Sequence, residues 1–258
     1  MWVLCGYKGG KANSTGKCQS SDNIGIISQS ALKDFPPNTE SLLRHRMTVY
    51  VVRHGETDWN IIKRLQGHLD VPLNDTGRMQ ARKLGEYLKE HPQEYNITRI
   101  VSSDLTRCRE TASLINVNKL PIEYTNTLRE RHMGPVEGML LAEAKKIFGD
   151  QFKQQGETEQ EMLARVTCKI DEICATSAPG GGDTLVVTHG GVIRALGGHY
   201  PLAATAKKGT AERVGGRVGN TSITALERGE IIFYAERPHL VFEEKAGLIP
   251  EEIDDGYR

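Results

Sequence analysis

The chain has 258 residues, 38% of them hydrophobic and 26% charged, with 33 basic and 33 acidic side chains. That length can bury a substantial core in one large domain, and the balanced charge gives no global reason to expect nucleic acid or a membrane surface as a partner. No apolar run approaches the roughly 18 residues of a membrane span, and no secretory leader opens the sequence. The five cysteines (Cys5, Cys18, Cys108, Cys168 and Cys174) are odd in number and form no C-x-x-C pair. They fit reduced thiols in a cytoplasmic protein better than a disulfide framework.

Residues 1–46 are rich in Gly, Ser, Asn and Lys, carry a Phe35-Pro36-Pro37 break and show no sustained period. They are expected to be a disordered extension. Early lysines (Lys8, Lys11, Lys17), with no acid before Asp22, leave mitochondrial targeting as an alternative, weakened by the absence of arginine before Arg44. The glycosylation sequons at Asn13, Asn96 and Asn220 are expected to be chance matches. A single domain over 47–240 and a C-terminal tail over 241–258 complete the expected organisation.

From Thr48 onward strand and helix patterns alternate. Thr48 to Val52 is a β-rich run, and Thr76 to His91 has helical spacing through Met79, Leu84, Tyr87 and Leu88, with Asp75 and Thr76 as cap candidates. Ile97 to Val101 reads as a second strand and Asp104 to Ile115 as a helix. Leu140 to Phe148 and Glu159 to Ala175 are helical patterns, the second ending at the Gly180 to Gly182 break. Thr184 to Val187 is the most apolar strand and Val192 to Tyr200 the next helix. Ser222 to Leu226 and Ile231 to Ala235 resemble a hairpin around Gly229. This alternation indicates an α/β three-layer sandwich with a mostly parallel central sheet.

In such sheets ligands bind beyond the carboxyl ends of the strands. The three strands end at Arg53-His54, Ser102-Ser103 and Thr188-His189, so two histidines with polar neighbours arrive at one edge. An imidazole beside a guanidinium can seat a phosphate dianion and attack its phosphorus. The glycines Gly190 and Gly191, opening a helix after His189, allow close approach of an anion to free backbone N–H groups. Arg107 lies in the first turn of a helix, where its fork can grip two phosphate oxygens, a geometry lysine cannot reproduce. A leaving alcohol also needs a proton from a carboxylic acid. Glu130 is the candidate, an ion pair with Arg129 or Arg131 being its duller explanation. Glu56, beside Arg53 and His54, competes for that role but suits a supporting, charged one.

Four segments stand in order: Arg53-His54-Gly55-Glu56, Ser102-Ser103-Asp104-Leu105-Thr106-Arg107, Leu128-Arg129-Glu130 with Gly134, and Thr188-His189-Gly190-Gly191. Together they resemble the histidine phosphatase (phosphoglycerate mutase-like) superfamily over roughly residues 48–236. The resemblance implies that His54 attacks phosphorus to become a phosphohistidine, that Arg53, Arg107 and His189 form the phosphate pocket, and that Glu130 donates the proton. It further implies contacts to phosphate or substrate from Asn60, Gln66, Gly67 and Gly190, and no metal or cofactor. Two cationic side chains beside His54 and His189 would in any case repel a metal ion. Asn60 keeps a second explanation as a helix cap, and Arg109 reads as structural. His68 and His132 read as rim or surface residues.

The Asp-x-Pro-Leu form at Asp70 to Leu73 and the short segment between Glu130 and His189 resemble phosphatases more than mutases, which carry a longer basic insertion there. Gly191 stands where mutases tend to carry Asn. The Leu128 to Gly138 segment resembles fructose-2,6-bisphosphatases, although Gly190 replaces the Gln of the bifunctional kinase enzymes. The expected partner is thus a small phosphorylated metabolite, with a sugar bisphosphate in view. A cofactor-dependent phosphoglycerate mutase and a non-catalytic phosphate-binding module remain as alternatives. Lys207, Lys208, Arg213 and Arg217 form a basic loop that is either solvated surface or a lid meeting a second phosphate.

Overall fold

The computed structural model describes residues 47–176, 181–241 and 247. The expected N-terminal extension with Cys5, Cys18 and Asn13, the glycine Gly180, and all of the expected tail except Val241 and Gly247 lie outside the described residues.

Strand β1 (Val49–Arg53) joins β2 (Ile97–Ser103), β3 (Ile122–Thr125), β4 (Asp183–Thr188), β5 (Ile223–Glu227) and β6 (Glu230–Glu236) in one sheet of order β3-β2-β4-β1-β5-β6. The pairs β3-β2, β2-β4 and β4-β1 are parallel, while β5 runs antiparallel to both β1 and β6. Between β5 and β6 the turn residues Arg228 and Gly229 both have positive φ, 52° and 75°, the twist that a two-residue hairpin requires.

Helices cover both faces. These are α1 (Asp58–Ile61), α2 (Asp75–Glu90), α3 (Thr106–Ile115), α4 (Leu141–Phe148), α5 (Glu159–Thr176), α6 (Gly190–His199) and α7 (Thr210–Arg213). The two-residue period of the strands decides which face each side chain serves. Val49 and Val51 of β1, with Val186 of β4, pack toward Val166, Ile170 and Ile173 of α5 and Ile193 of α6. Tyr50 and Val52, with Leu185 and Val187, turn to Ala81 and Leu84 of α2 and Cys108, Ala112 and Ile115 of α3. Both faces of the inner strands are therefore buried, and the expected three-layer α/β sandwich forms. A third cluster, Leu65, Met133, Val136, Leu141, Ala144 and Phe152, packs the segment around α4 against the chain that follows α1.

Two local expectations are corrected. The cap of α2 is Asn74, not Asp75 or Thr76: its backbone is extended and its side chain accepts the Gly77 N–H at 2.8 Å. Strand β3 was not anticipated. It is a four-residue edge strand with Glu123 and Tyr124 exposed, so it carries no apolar alternation to read.

Parallel pairing gives the site its location. The register sets Arg53 opposite Thr188 and Ser102 opposite Val187, so β1, β2 and β4 deliver His54, Ser103 and His189 to the same sheet edge.

Candidate active site

At that edge a solvent-open cleft of about 370 Å³ is lined by Arg53, His54, Trp59, Asn60, Lys63, Arg64, Gln66, Gly67, Arg107, Glu130 and Gly190. Eight of these were nominated from sequence. The ninth nominee, His189, is fully buried behind them, its ring centroid 5.3 Å from that of His54.

His54 follows β1 directly. Its backbone N–H donates to the Thr188 carbonyl at 2.9 Å and its carbonyl accepts from Asn220 Nδ2 at 3.0 Å. The ring Nδ1 lies 2.7 Å from the Gly55 carbonyl oxygen, which can only accept, so Nδ1 carries the proton and Nε2 a lone pair. Burial, then the charges of Arg107 and Arg53, hold the imidazole pKa well below its ordinary value. A neutral ring with a bare Nε2 is the form a nucleophile requires.

His189 is fixed in the same way. Arg107 Nε donates to its Nδ1 at 3.3 Å, leaving the proton on Nε2, which meets Ser103 Oγ at 2.9 Å. Burial and Arg107 hold its pKa down as well. The remaining Arg107 nitrogens donate to the carbonyls of Leu69 (2.9 Å) and Gly67 (2.8 Å). Arg53 Nη1 donates to the Val218 carbonyl at 2.5 Å. Both guanidiniums are thus oriented by backbone groups before any ligand arrives.

Glu130 Oε1 accepts the Arg131 N–H and Oε2 the Gly191 N–H, each at 2.9 Å. Its ion-pair explanation does not hold. Arg129 pairs instead with Asp104 at 2.6 Å, and Arg131 Nη1 donates to the carbonyls of Gln155 and Glu157. Glu56 is outside the cleft lining and accepts from Asn74 Nδ2 at 2.9 Å, which suits the supporting role. Asn60 serves as a cap, its Oδ1 accepting the Thr57 N–H in a capping box at the start of α1, and it also lines the cleft. Gln66 Nε2 donates to Thr57 Oγ1 at 2.9 Å, while its buried Oε1 has no partner and can accept from a ligand hydroxyl.

The model for histidine phosphatase superfamily branch 1 matches residues 49–237. The chain belongs to that superfamily. A broad-specificity phosphatase of Saccharomyces cerevisiae is 40% identical over 158 residues, 57% of this chain and 67% of the relative. A probable phosphatase of Schizosaccharomyces pombe is 35% identical over 215 residues, 79% of this chain and all of the relative. Among solved structures, a phosphoglycerate mutase from Bacillus anthracis superposes with TM-score 0.63 at 25% identity, covering 77% of this chain and 96% of that one. The protein is accordingly a phosphatase-type enzyme of the histidine phosphatase superfamily. Among the described residues no helix is long and apolar enough to cross a membrane.

Several residues that hold this histidine phosphatase site together escaped the sequence reading. Asn220 and Thr221, in the turn that leads into β5, hold the backbone at His54, Asn220 Nδ2 donating to the His54 carbonyl and Thr221 N–H to the Arg53 carbonyl at 3.1 Å. Thr221 does so with φ 59°, a left-handed conformation unusual for a β-branched residue, and its hydroxyl is 2.9 Å from His239 Nε2. Ser103 and Cys108 flank His189, the thiol 3.4 Å from Nε2. Only the Ser-Ser strand end hinted at the first. Asn220, read as a sequon, is buried and bonded to His54, so chance match is the right account.

The basic loop stands away from the cleft in this structure. Lys207 and Arg213 pair with Glu236 at 3.2 and 3.4 Å, and none of Lys207, Lys208, Arg213 and Arg217 lines the cleft. Arg109 is structural, its guanidinium 4.0 Å over the Tyr124 ring. His68 is outside the cleft lining; its Nε2 donates to the Glu130 carbonyl at 2.8 Å, and its ring meets that of His132 edge-on.

Proposed function

We propose that the protein hydrolyses phosphomonoesters of small metabolites in two steps through a phosphohistidine on His54. The His54 Nε2 lone pair attacks phosphorus as the ester P–O bond breaks, and Glu130 passes a proton to the departing alkoxide. Glu130 then accepts a proton from water as that water attacks phosphorus. The P–N bond breaks, releasing phosphate and restoring His54. Arg53 and Arg107 hold the transferring oxygens, with the Gly190 N–H and the side chains of Asn60 and Gln66 as further contacts. His189 works from behind through Arg107. Preorganised charge and dipoles carry most of the acceleration in this kind of transfer.

The observation that carries the proposal is the tautomer of His54: Nδ1 is committed to Gly55, and the ring is neutral beside two arginines. Return of the phosphoryl group to water, not to a second hydroxyl as in a mutase, is supported by relatives named as phosphatases. Free thiols at Cys108, Cys168 and Cys174 support a reducing compartment, the cytoplasm.

Brief reaction with labelled substrate should leave acid-labile label on the wild-type protein and none on His54→Ala. Full phosphatase activity in His54→Ala would refute the mechanism. A phosphate-release screen headed by sugar bisphosphates such as fructose 2,6-bisphosphate addresses the substrate, and conversion of 3-phosphoglycerate with catalytic 2,3-bisphosphoglycerate would instead identify a mutase.

A further inference from the structure

A phosphomonoester brings roughly two negative charges at neutral pH, and the cleft is built for more. Arg53, Lys63, Arg64 and Arg107 line it against one carboxylate, Glu130. Arg53 and Arg107 are buried at the nucleophile. Arg64 is half-buried, its Nη1 donating to the Gly138 carbonyl at 2.6 Å and its guanidinium 5.4 Å over the Trp59 ring.

Lys63 is different. It is exposed, and among the described residues no carboxylate lies within ion-pair distance of its ammonium and no group hydrogen-bonds to it. Its backbone has φ 53°, a conformation in which a long side chain is disfavoured and glycine or asparagine would be easier. The peptide is nonetheless locked there. Its N–H donates to the Asn60 carbonyl at 3.2 Å and its carbonyl accepts from Leu141 N–H at 2.9 Å. Lys63 thus keeps a disfavoured backbone conformation while its charge is left without an internal ion pair among the described residues. It is a cation held on the rim of an anion-binding cleft.

We infer that Lys63 binds a second anionic group of the substrate, a carboxylate or a second phosphate, so that the substrate class is a phosphomonoester bearing another negative charge. This rests on the phosphohistidine reading of the same cleft. Trp59 and Arg64 line the same cleft and offer an indole face and an aliphatic stem to the carbon chain of such a substrate.

The test uses three ligands with a common skeleton: glycerol 3-phosphate, 3-phosphoglycerate and glycerol 1,3-bisphosphate. The readout is the ratio of kcat/KM for each doubly anionic substrate to that for glycerol 3-phosphate. Lys63→Asn, which tolerates the left-handed backbone, should lower that ratio about 10-fold, the size of one lost charge-assisted contact, and Lys63→Arg should keep it. A drop confined to 3-phosphoglycerate assigns a carboxylate, and one confined to the bisphosphate assigns a phosphate. Ratios unchanged within about two-fold for both would overturn the inference. Calorimetric Kd values for the same ligands on His54→Ala, alone and with Lys63→Asn, read the same ratio without turnover. The Lys63 inference is thereby decided even if His54→Ala keeps its activity and the phosphohistidine reading fails.

Discussion

Replacing Gly191 with alanine sets a methyl group against the Glu130 carboxylate. The new Cβ would lie 2.2 Å from Oε1 and 3.0 Å from Oε2, so the carboxylate must retreat by about 1 Å to reach van der Waals contact. It would also strain or lose the 2.9 Å bond from Gly191 N–H. A hydrogen bond to a charged group is worth about 1.5–3 kcal/mol, and a displacement of about 1 Å in a catalytic group can cost roughly 100-fold in rate. Gly191 is the second residue of α6, where alanine is favoured over glycine by up to about 1 kcal/mol, so unfolding is not the expected cause of any loss. The assay compares an alkyl phosphate, whose leaving group needs a proton, with 4-nitrophenyl phosphate, whose phenolate leaves without one. For Gly191→Ala we expect kcat/KM to fall about 100-fold on the first and far less on the second, with a Tm loss of only a few degrees that leaves the protein folded at the assay temperature. Equal losses on both substrates, or none on either, would refute the role assigned to Glu130.

Arg107→Lys keeps the charge but can satisfy only part of the fork that reaches His189, Leu69 and Gly67. Losing one such bond should cost about 2 kcal/mol, or roughly 4–8 °C in Tm, together with activity, and an unchanged Tm in a calorimetric scan would contradict the buried geometry. Stability should also fall as pH drops from 7 to 5. The folded-state pKa values of His54, His68 and His189 are lowered, and desolvation pushes that of half-buried His239 down to about 3. In this window the unfolded chain therefore binds protons that the folded one refuses. Each such histidine contributes a slope of up to about 1.4 kcal/mol per pH unit below its unfolded pKa of roughly 6.5. The urea midpoint should drop over that range and drop less steeply in His239→Gln; a flat midpoint would count against neutral, buried imidazoles.

The fold was legible wherever apolar residues kept a period. β1 and β4 are short runs rich in β-branched and apolar residues because both their faces are buried, and α2 and α5 show helical spacing because one face is. β3 lacked any such signal: an edge strand with exposed Glu123 and Tyr124 is held by backbone pairing to β2, which side-chain pattern does not record. The cap at Asn74 was missed for a related reason, since three neighbouring residues, Asn74, Asp75 and Thr76, are all chemically able to cap, and the backbone geometry selects one.

The chemistry of the site was written locally. Arg53-His54, Arg107, Glu130 and His189 each sit in a short segment whose residue types suit phosphate, and strand ends in a parallel sheet converge by topology. Charge bookkeeping along the chain could not show which cations reach the cleft. Lys207 and Arg213 pair with Glu236 away from the cleft, while Lys63 and Arg64, unremarked in sequence, line it. Nor could it show that Asn220 and Thr221 grip the backbone of Arg53 and His54 from far along the chain. The sequence by itself determined the α/β class, the superfamily and the short segments that line the cleft, because those depend on local period and residue type. Tertiary structure alone decided the tautomers, the partners of each charge and the cation on the rim, because these depend on distances between residues that meet only when the sheet closes.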